Sequence, residues 1–452
     1  MERLIPSSDS LLAELGIDPA ELKSMKPHWK RTQYRAIINW LTRYYPENTD
    51  SNIEKVKGLL ESFYHLCEIQ EWQIASKIFL LSLTTPSQQT LVHQLDVWGY
   101  YKDSIDICNK ILGKAGETTD LVCLNAIGNA HLDNANYSAA MEAYKYSLEI
   151  AQSLGNLVET SRALNNIGLV NYYLDNYSSA AKYYHKSIEF SRNAKDIEGE
   201  GRAIGNLGII YQVLGDYNRA IDYHQKALVI RRKIGDRLAE QISLGNLGDI
   251  HYRIGDYNQA IEYHLERLTI ARNIGHRLGE SHALAGLGKD YCGLKEYEKA
   301  IKYNQLSLKI KQEIGDRRGE AVVMGYLGDI FHAIGYYIEA SNYYQKQLFI
   351  SQIIGDFSGK GSALCNLGST QVDIEEYEDA LMNLQEALGI SRKISHRQGE
   401  AEVLKNLAKL CYKIDKLVEA LEFCEQALSI STELGIPLAQ ECHKLKEEIL
   451  DT

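Results

Sequence analysis

The chain of 452 residues is dominated by one unit that recurs every forty residues. The period is visible in three columns of identical residues: Gly128, Gly168, Gly208, Gly248, Gly288, Gly328 and Gly368; Tyr137, Tyr177, Tyr217, Tyr257, Tyr297, Tyr337 and Tyr377; Ala140, Ala180, Ala220, Ala260, Ala300, Ala340, Ala380 and Ala420. Self-similarity at this period is typical of a solenoid, in which each unit packs on its neighbours. The sequence therefore predicts eight tandem repeats between Thr119 and Gly435.

Each repeat has the pattern of a helix hairpin. In the third copy, apolar residues recur at helical spacing over 204–214, stop at Gly215 and Asp216, and resume over 217–230. Glycine suits a left-handed position after a helix, and aspartate can accept hydrogen bonds from the first N–H groups of the next one. The small Gly208 lies where we expect the two antiparallel helices to cross closely.

The residues of one copy resemble the tetratricopeptide repeat (TPR). The match consists of a small residue at 208, an aromatic residue at 211, Leu-Gly at 214–215, Tyr217 and Ala220. Its forty-residue length and its N-L-G and I-G-D-R-x-G-E signatures are similar to repeats of the Leu-Gly-Asn (LGN/Pins) type, and to bacterial and cyanobacterial relatives. The resemblance implies an all-α fold, a right-handed superhelix of antiparallel helix hairpins.

The ends of the chain depart from the repeat pattern. All four tryptophans precede the clear repeats, and no proline occurs between Pro86 and Pro437. We expect an irregular helical segment over 1–50, with short helices over 20–25 and 31–45, then two divergent hairpins over 51–116. The repeats fill 117–436, and a capping helix over 437–452 should bury Leu438, Cys442, Leu445 and Ile449.

Net charge and cysteine content indicate which partners and which cell compartment suit the protein. A net charge of −11 disfavours nucleic acid and anionic membranes, which attract basic surfaces. No apolar run is long enough for a membrane span, and the N-terminus lacks the regions of a signal peptide. The eight cysteines contain no C-x-x-C pair, so we expect buried thiols in a reducing cytoplasm. A redox pair of Cys411 and Cys424 is the alternative.

Signatures of catalysis are missing from the sequence. There is no H-E-x-x-H, G-x-S-x-G, EF-hand or Walker lysine loop, so we predict no enzyme activity, no cofactor and no metal. One alternative stays open, because His224, His251 and His264 occupy facing positions of repeats three and four. These imidazoles either form a metal or catalytic site or replace the aromatic residues of other repeats.

A recurring asparagine is the strongest functional signal. It stands two residues before the glycine column at Asn166, Asn206, Asn246, Asn366 and Asn406, and is replaced by Ala126, Gly286 and Tyr326. A buried core disfavours repeated amides without partners. In TPR folds the first helices line the concave groove, and the resemblance implies that these asparagines bind the main chain of a peptide. The gap at Gly286 and Tyr326 predicts either two half-grooves or a side-chain pocket.

Basic residues on the same helices predict the character of the partner. Arg162 and Arg202 match arginines in grooves of the Leu-Gly-Asn type, and Lys405, Lys409 and Lys413 form a stripe at i, i+4 and i+8. Cations inside a groove of an acidic protein favour an acidic segment or a terminal carboxylate. The alternative is that they pair with neighbouring glutamates such as Glu159, Glu200 and Glu402.

Together these patterns predict a noncatalytic scaffold or adaptor that binds an extended or helical segment of a partner protein. The alternative is an autoinhibited sensor or self-associating regulator, in which the N-terminal segment or a second copy of the chain occupies the groove. In neither case does the sequence predict binding of nucleic acid or membrane.

Overall fold

The computed structural model describes residues 4–47, 50–84 and 89–451. Within these residues all regular elements are helices, apart from one isolated β-bridge between Ser82 and Thr90. The chain divides into two compact units, the first ending at Val170 and the second beginning at Asn171. The predicted all-α solenoid is confirmed.

The first unit contains a short 3-10 helix, Pro19–Lys23, and the helices that lead into the repeats. These are α1 (Ser8–Leu15), α2 (His28–Arg43), α3 (Asn52–Glu68), α4 (Trp72–Phe79), α5 (Leu91–Val97), α6 (Tyr101–Ile111), α7 (Glu117–Asp133), α8 (Tyr137–Ser153) and the larger part of α9 (Leu157–Tyr173). The helix predicted over 20–25 is thus a 3-10 turn opened by the Asp18 cap, and that predicted over 31–45 is α2. The predicted hairpins before residue 117 correspond to α3–α4 and α5–α6; residues 48–49 and 85–88 lie outside the described residues.

The second unit continues the hairpins to the end of the described chain. Its helices are α10 (Tyr177–Ala194), α11 (Ile197–Val213), α12 (Tyr217–Ile234), α13 (Arg237–Arg253), α14 (Tyr257–Asn273), α15 (Arg277–Gly293), α16 (Tyr297–Glu313), α17 (Arg317–Ile334), α18 (Tyr337–Ile353), α19 (Phe357–Asp373), α20 (Tyr377–Lys393), α21 (Arg397–Lys413), α22 (Leu417–Leu434) and α23 (Leu438–Leu450). Helix α23 buries Cys442, Leu445 and Ile449, as their spacing predicts, whereas Leu438 is only half-buried.

Glycine and aspartate residues in the turns end one helix and begin the next. Gly215 and Gly235 adopt the left-handed conformation with φ of 75° and 74°. The Asp216 carboxylate accepts from the Arg219 N–H at 3.1 Å, and Asp236 accepts from the Ala239 N–H at 2.8 Å. Each aspartate satisfies an N–H group that has no partner within its own helix.

The glycine column allows the two helices of a hairpin to approach. A methyl group on Gly208 would lie 2.7 Å from the His224 ring, and one on Gly328 would lie 2.5 Å from the Tyr344 ring. The partner ring therefore fills the space that a side chain would need, and a larger residue would force the helices apart.

A buried glutamate joins successive repeats and explains the R-x-G-E signature. Glu240 is only 1% exposed and accepts from Arg232 Nε and Arg237 Nη1, both at 2.8 Å. Glu280 and Glu400 repeat this arrangement with two arginines each. Because Arg232 ends one repeat and Arg237 begins the next, the carboxylate fixes the turn between them.

One set of helices forms the inner wall of the second unit. The first helices of neighbouring repeats, such as α13, α15 and α17, contact each other along the unit. The second helices of neighbouring repeats stay farther apart. The closer spacing places the first helices on the concave side of a curved array.

Most of the cysteines are buried thiols, as their positions in the sequence predict. All eight cysteines are free thiols, and seven of them are buried. The Cys424 thiol donates to the Cys442 carbonyl at 3.2 Å, so it is held as a buried thiol rather than as half of a disulfide with Cys411. Across the described residues, every helix is too short or too polar to cross a membrane.

Candidate functional site

The asparagine column lies on the first helices, and most of its members are half-buried. Asn166, Asn206, Asn246 and Asn366 keep part of their surface exposed, whereas Asn406 is buried at 8% exposure. The column therefore has four members that solvent can reach and one that is largely enclosed.

Several of these amides also bond to the first helix of the preceding repeat. Asn166 Nδ2 donates to Asn125 Oδ1 and Asn366 Nδ2 donates to Asp329 Oδ1, both at 3.4 Å. Asn406 Nδ2 lies 3.1 Å from the Cys365 sulfur. These contacts hold the amides in fixed orientations, a structural role that the sequence did not indicate.

Three of the five predicted groove cations are paired within the chain. Arg162 pairs with Glu159 at 2.7 Å, Arg202 with Glu198 at 2.5 Å, and Lys405 with Glu441 of α23 at 2.7 Å. The alternative of pairing with neighbouring glutamates thus describes these three. Lys409 and Lys413 are exposed.

A cavity of about 730 Å³ opens where the asparagine column is interrupted. Asn246, Gly286 and Tyr326, successive members of that column, all line it. The other lining residues are Asp249, His264, Arg267, Leu278, His282, Ala285, Lys289, Lys311, Ile314, Gly315, Asp316, Arg318, Gly319, Val322 and Val323. The column therefore turns into a pocket at repeats four to six, which matches the second of the two predicted outcomes.

Lys289 lies at the centre of the cavity wall. Its Nζ is 3.2 Å from Asp249 Oδ1 and lies over the rings of Tyr252 and Tyr326, at 5.0 and 5.5 Å from their centroids. Burial lowers the pKa of Lys289, but the neighbouring Asp249 more than offsets this and the pKa is raised overall. The ammonium group is thus held charged by a carboxylate and two aromatic faces.

His264 forms the floor of the cavity and explains the glycine at position 286. A methyl group on Gly286 would lie 2.6 Å from His264 Cε1, so no side chain fits there. His264 Nε2 is 3.8 Å from Asp290 Oδ2, and Asp290 is completely buried with no hydrogen-bond partner on either oxygen. Burial lowers the pKa of His264 to about 4 and raises that of Asp290 to about 8, so both are uncharged at neutral pH.

The three predicted histidines do not form a metal centre. His224 packs on Gly208, and His264 packs on Gly248 and Gly286. The His251 ring contacts that of Tyr263 in a tilted arrangement, with ring centroids 5.4 Å apart. Throughout the described ranges, no group of three or more histidine, cysteine or carboxylate side chains is placed to hold a metal ion. The histidines occupy the positions of aromatic residues in other repeats.

Two models of the tetratricopeptide repeat match the chain. The first matches residues 200–273, 280–348 and 360–433, and the second matches residues 160–194. Together they cover more than half of the chain. The finer Leu-Gly-Asn subtype stays a prediction. No protein in a curated set of sequences matches this chain.

Solved structures with a similar fold have low sequence identity. A Rap protein complexed with competence and sporulation factor is 14% identical with a TM-score of 0.52, and the match covers 86% of this chain and 99% of that one. The apo form of the quorum sensor NprR from B. thuringiensis is 14% identical with a TM-score of 0.52, covering 75% and 99%. Aspartyl phosphate phosphatase F from Bacillus subtilis is 15% identical with a TM-score of 0.50, covering 86% and 96%. At these identities the likeness concerns the fold.

Proposed function

Because this chain belongs to the tetratricopeptide repeat family, we propose that it is a noncatalytic binding protein whose concave groove receives an extended segment of a partner protein. The observation that carries the proposal is the row of amides on the inner helices. Asn206 and Asn246 lie forty residues apart and are half-buried rather than enclosed. An amide offers both a donor and an acceptor, so it can pair with a main-chain peptide group of any sequence.

The internal contacts of the column support this role. Amides such as Asn366 are held by a neighbouring helix, which reduces the entropy that a binding residue loses when a ligand arrives. An amide group can make more hydrogen bonds than the internal contacts of Asn166 and Asn366 use. We assign the enclosed Asn406 a packing role and the four half-buried asparagines the binding role.

The preference for an acidic partner is assigned to Lys409 and Lys413. Both are exposed, whereas Arg162, Arg202 and Lys405 already pair with glutamates of the chain. Exposed surface pairs contribute little, at about 0–1 kcal/mol each, so a guest carboxylate could still compete for the paired arginines.

Capture of the partner tests the proposal. The full chain is immobilised, incubated with native lysate, and the retained proteins are quantified by mass spectrometry. The double variant Asn206→Ala, Asn246→Ala is compared with Asn218→Ala, Asn258→Ala, which removes exposed asparagines from the second helices of the same two repeats. We expect the first pair to lose a specific partner and the control pair to retain it. Equal retention would contradict the role of the groove.

A regulated form of the same function is the second candidate. Chains described as a quorum sensor and as a Rap protein complexed with competence and sporulation factor share this fold. In such a signalling role, the N-terminal 50 residues or a second copy would occupy the groove until a guest displaces it. Deletion of residues 1–50 should then strengthen capture of the partner, and self-association of the chain should fall when the partner is added. Unchanged capture together with a constant oligomeric mass would exclude this candidate.

The noncatalytic assignment is also a proposal, since one chain of similar fold is named a phosphatase. Metal analysis of the purified protein tests the histidine alternative: stoichiometric zinc, nickel or iron would support it. We place the protein in the cytoplasm because its eight cysteines are free thiols.

A further inference from the structure

The eight repeats provide an internal reference against which unusual residues stand out. Several columns hold one residue type in most copies, so a departure from such a column marks a residue that needs its own explanation. Around the cavity of repeats four to six, three buried or half-buried columns depart at once, at Arg267, Asp290 and Lys311. None of these three residues belongs to the asparagine column, so the proposed role of that column does not explain them.

Arg267 replaces a small residue. The equivalent residues of the other repeats are Ser147, Ser187, Ala227, Ser307, Gln347, Ala387 and Ala427. The guanidinium lies over Gly245, where a methyl group would come within 2.5 Å of Nη1, and its buried Nε has no hydrogen-bond partner. An arginine is always charged, so this position brings a permanent cation to the cavity wall.

Lys311 is a second substitution of this kind. The equivalents are Ala151, Ser191, Arg231, Ala271, Ser351, Ser391 and Ser431. Lys311 is only 2% exposed, and its Nζ reaches the Asp316 carboxylate at 2.8 Å, on the rim of the same cavity. Burying a lysine costs free energy unless the ammonium is paired, so a packing role alone would favour the serine or alanine found at six of the seven equivalent positions.

The cavity carries more positive than negative charge. Two of its cations are matched by lining carboxylates, Lys289 by Asp249 and Lys311 by Asp316. Arg318 reaches Asp356, which lies outside the lining, at 3.3 Å. Arg267 remains without a dedicated carboxylate, and its nearest opposing charge is the Asp249 that already pairs with Lys289.

Neutral imidazoles complete the polar wall. Burial lowers the pKa of both His264 and His282 to about 4, so at neutral pH each offers one N–H donor and adds no charge. A negatively charged group in the cavity would meet a guanidinium, two ammonium groups and these donors. Charge-assisted hydrogen bonds of this kind are about twice as strong as neutral ones.

We propose that this cavity is an oxyanion pocket in which Arg267, supported by Lys289 and Lys311, binds a carboxylate or phosphate group. The group would come either from a free anion or from an acidic side chain of the guest segment. Only the second source rests on the proposed function; the pocket itself does not.

Calorimetric titration of the full chain at low ionic strength tests the pocket. The probes are inorganic phosphate and the blocked peptide acetyl-Glu-Glu-Glu-amide, with acetyl-Gln-Gln-Gln-amide as the uncharged control. The variants Arg267→Ala and Lys311→Ser introduce residues that other repeats carry at the same positions, so the fold is maintained. Lys309→Ala removes one exposed positive charge from α16 and serves as the matched control.

We expect the wild-type chain to bind at least one charged probe, and Arg267→Ala to weaken that binding at least tenfold. Lys311→Ser should weaken it less, and Lys309→Ala should change it less than twofold. Binding of the glutamate peptide alone assigns the oxyanion to a guest protein, and binding of phosphate assigns it to a free anion. Asn206→Ala, outside the cavity, should leave phosphate binding intact, which separates the pocket from the asparagine column. Failure of both charged probes, or equal binding by Arg267→Ala, would overturn the proposal.

Discussion

The backbone N–H of Arg397 donates a hydrogen bond of 3.3 Å to the carboxylate of Asp175, 222 residues earlier in the chain. Forty residues beyond each of these, Pro437 packs on Gly215, where a methyl group would lie 2.7 Å from Pro437 Cγ. Asp175 and Gly215 lie in the turns within repeats two and three, and Arg397 and Pro437 lie at the starts of α21 and α23. The second unit therefore curves far enough for its early turns to contact its last helices; we call this contact the seam.

A glycine-to-alanine substitution at the seam should lower the free energy of unfolding more than the same substitution in another turn. Gly215→Ala places a side chain at φ of 75° and against Pro437, whereas Gly255→Ala places one at φ of 82° with no atom within 4 Å. Both variants should lose about 1–2 kcal/mol for the left-handed backbone. Gly215→Ala should lose about 1–3 kcal/mol more through overpacking. Thermal unfolding measures the difference, and hydrogen exchange in α23 should rise only in Gly215→Ala; equal losses would show that the seam contributes nothing.

Restoring the missing asparagine of repeat five should destabilise the protein. Gly286→Asn directs a side chain into the His264 ring, which lies 2.6 Å from the position of the new Cβ. We expect a loss of about 1–3 kcal/mol in the free energy of unfolding. The double variant Gly286→Asn, His264→Ala should recover part of that loss relative to the sum of the single variants. Additive effects in urea unfolding would contradict direct contact.

Replacing Asp290 by the residue of the other repeats should stabilise the fold. Ile210, Ile250 and Ile330 occupy this column, while the Asp290 carboxyl is completely buried with no hydrogen-bond partner. Asp290→Ile removes that unsatisfied group and adds apolar burial, so we expect a gain of about 1–3 kcal/mol. Differential scanning calorimetry would detect it as a higher midpoint. A lower midpoint would indicate that the carboxyl has a partner it needs.

The contribution of Asp290 to the stability of the wild-type protein should fall as pH rises from 6.5 to 8. Burial, reinforced by Asp249 and opposed by Lys289, raises the folded pKa of Asp290 from 3.8 to about 8. Below pH 8 the folded state therefore holds a proton that the unfolded state has released. The contribution of Asp290 to stability falls by up to about 1.4 kcal/mol per pH unit as pH rises toward 8, and it levels off above that pH. His264 acts in the opposite sense, because its folded pKa of about 4 lies below the unfolded value of 6.5, so a matched variant of Asp290 is needed.

Asp290→Asn isolates this effect because it keeps the shape and removes the titration. The difference in unfolding midpoint between Asp290→Asn and wild type should grow in favour of the variant up to about pH 8 and then level off. A difference that stays constant with pH would show that Asp290 is ionised in the folded state at every pH tested.

The architecture could be predicted from the sequence because the repeat occurs eight times. Gly208, Gly215 and Asp216 were assigned to a helix crossing, a turn and a cap from their periodicity, and each occupies that position. Comparison of eight copies reveals the shared pattern, so a misleading residue in one repeat does not alter the prediction. The irregular first segment has no such redundancy: the short helix predicted over 20–25 is a 3-10 helix over Pro19–Lys23, a type that the sequence did not specify.

The cavity was predicted less completely, because its distinctive residues each occur in only one repeat. The gap at Gly286 and Tyr326 is visible in the sequence, but Arg267 and Lys311 lie on second helices, whereas the candidate groove residues were sought on first helices. The signal was present as departures from their columns. Side-chain pairings such as Lys405 with Glu441 depend on how α23 packs, which spacing within one helix does not reveal.

The dissociation constant of the captured partner segment for the asparagine variants tests the central claim most directly. With a fluorescently labelled segment and anisotropy detection, Asn206→Ala, Asn246→Ala should bind about 5- to 150-fold more weakly, because two amides each contribute about 0.5–1.5 kcal/mol. The control pair Asn218→Ala, Asn258→Ala should bind within twofold of wild type, with all three chains equally folded by circular dichroism. Wild-type affinity in the Asn206→Ala, Asn246→Ala variant would contradict a groove that binds its guest through these amides.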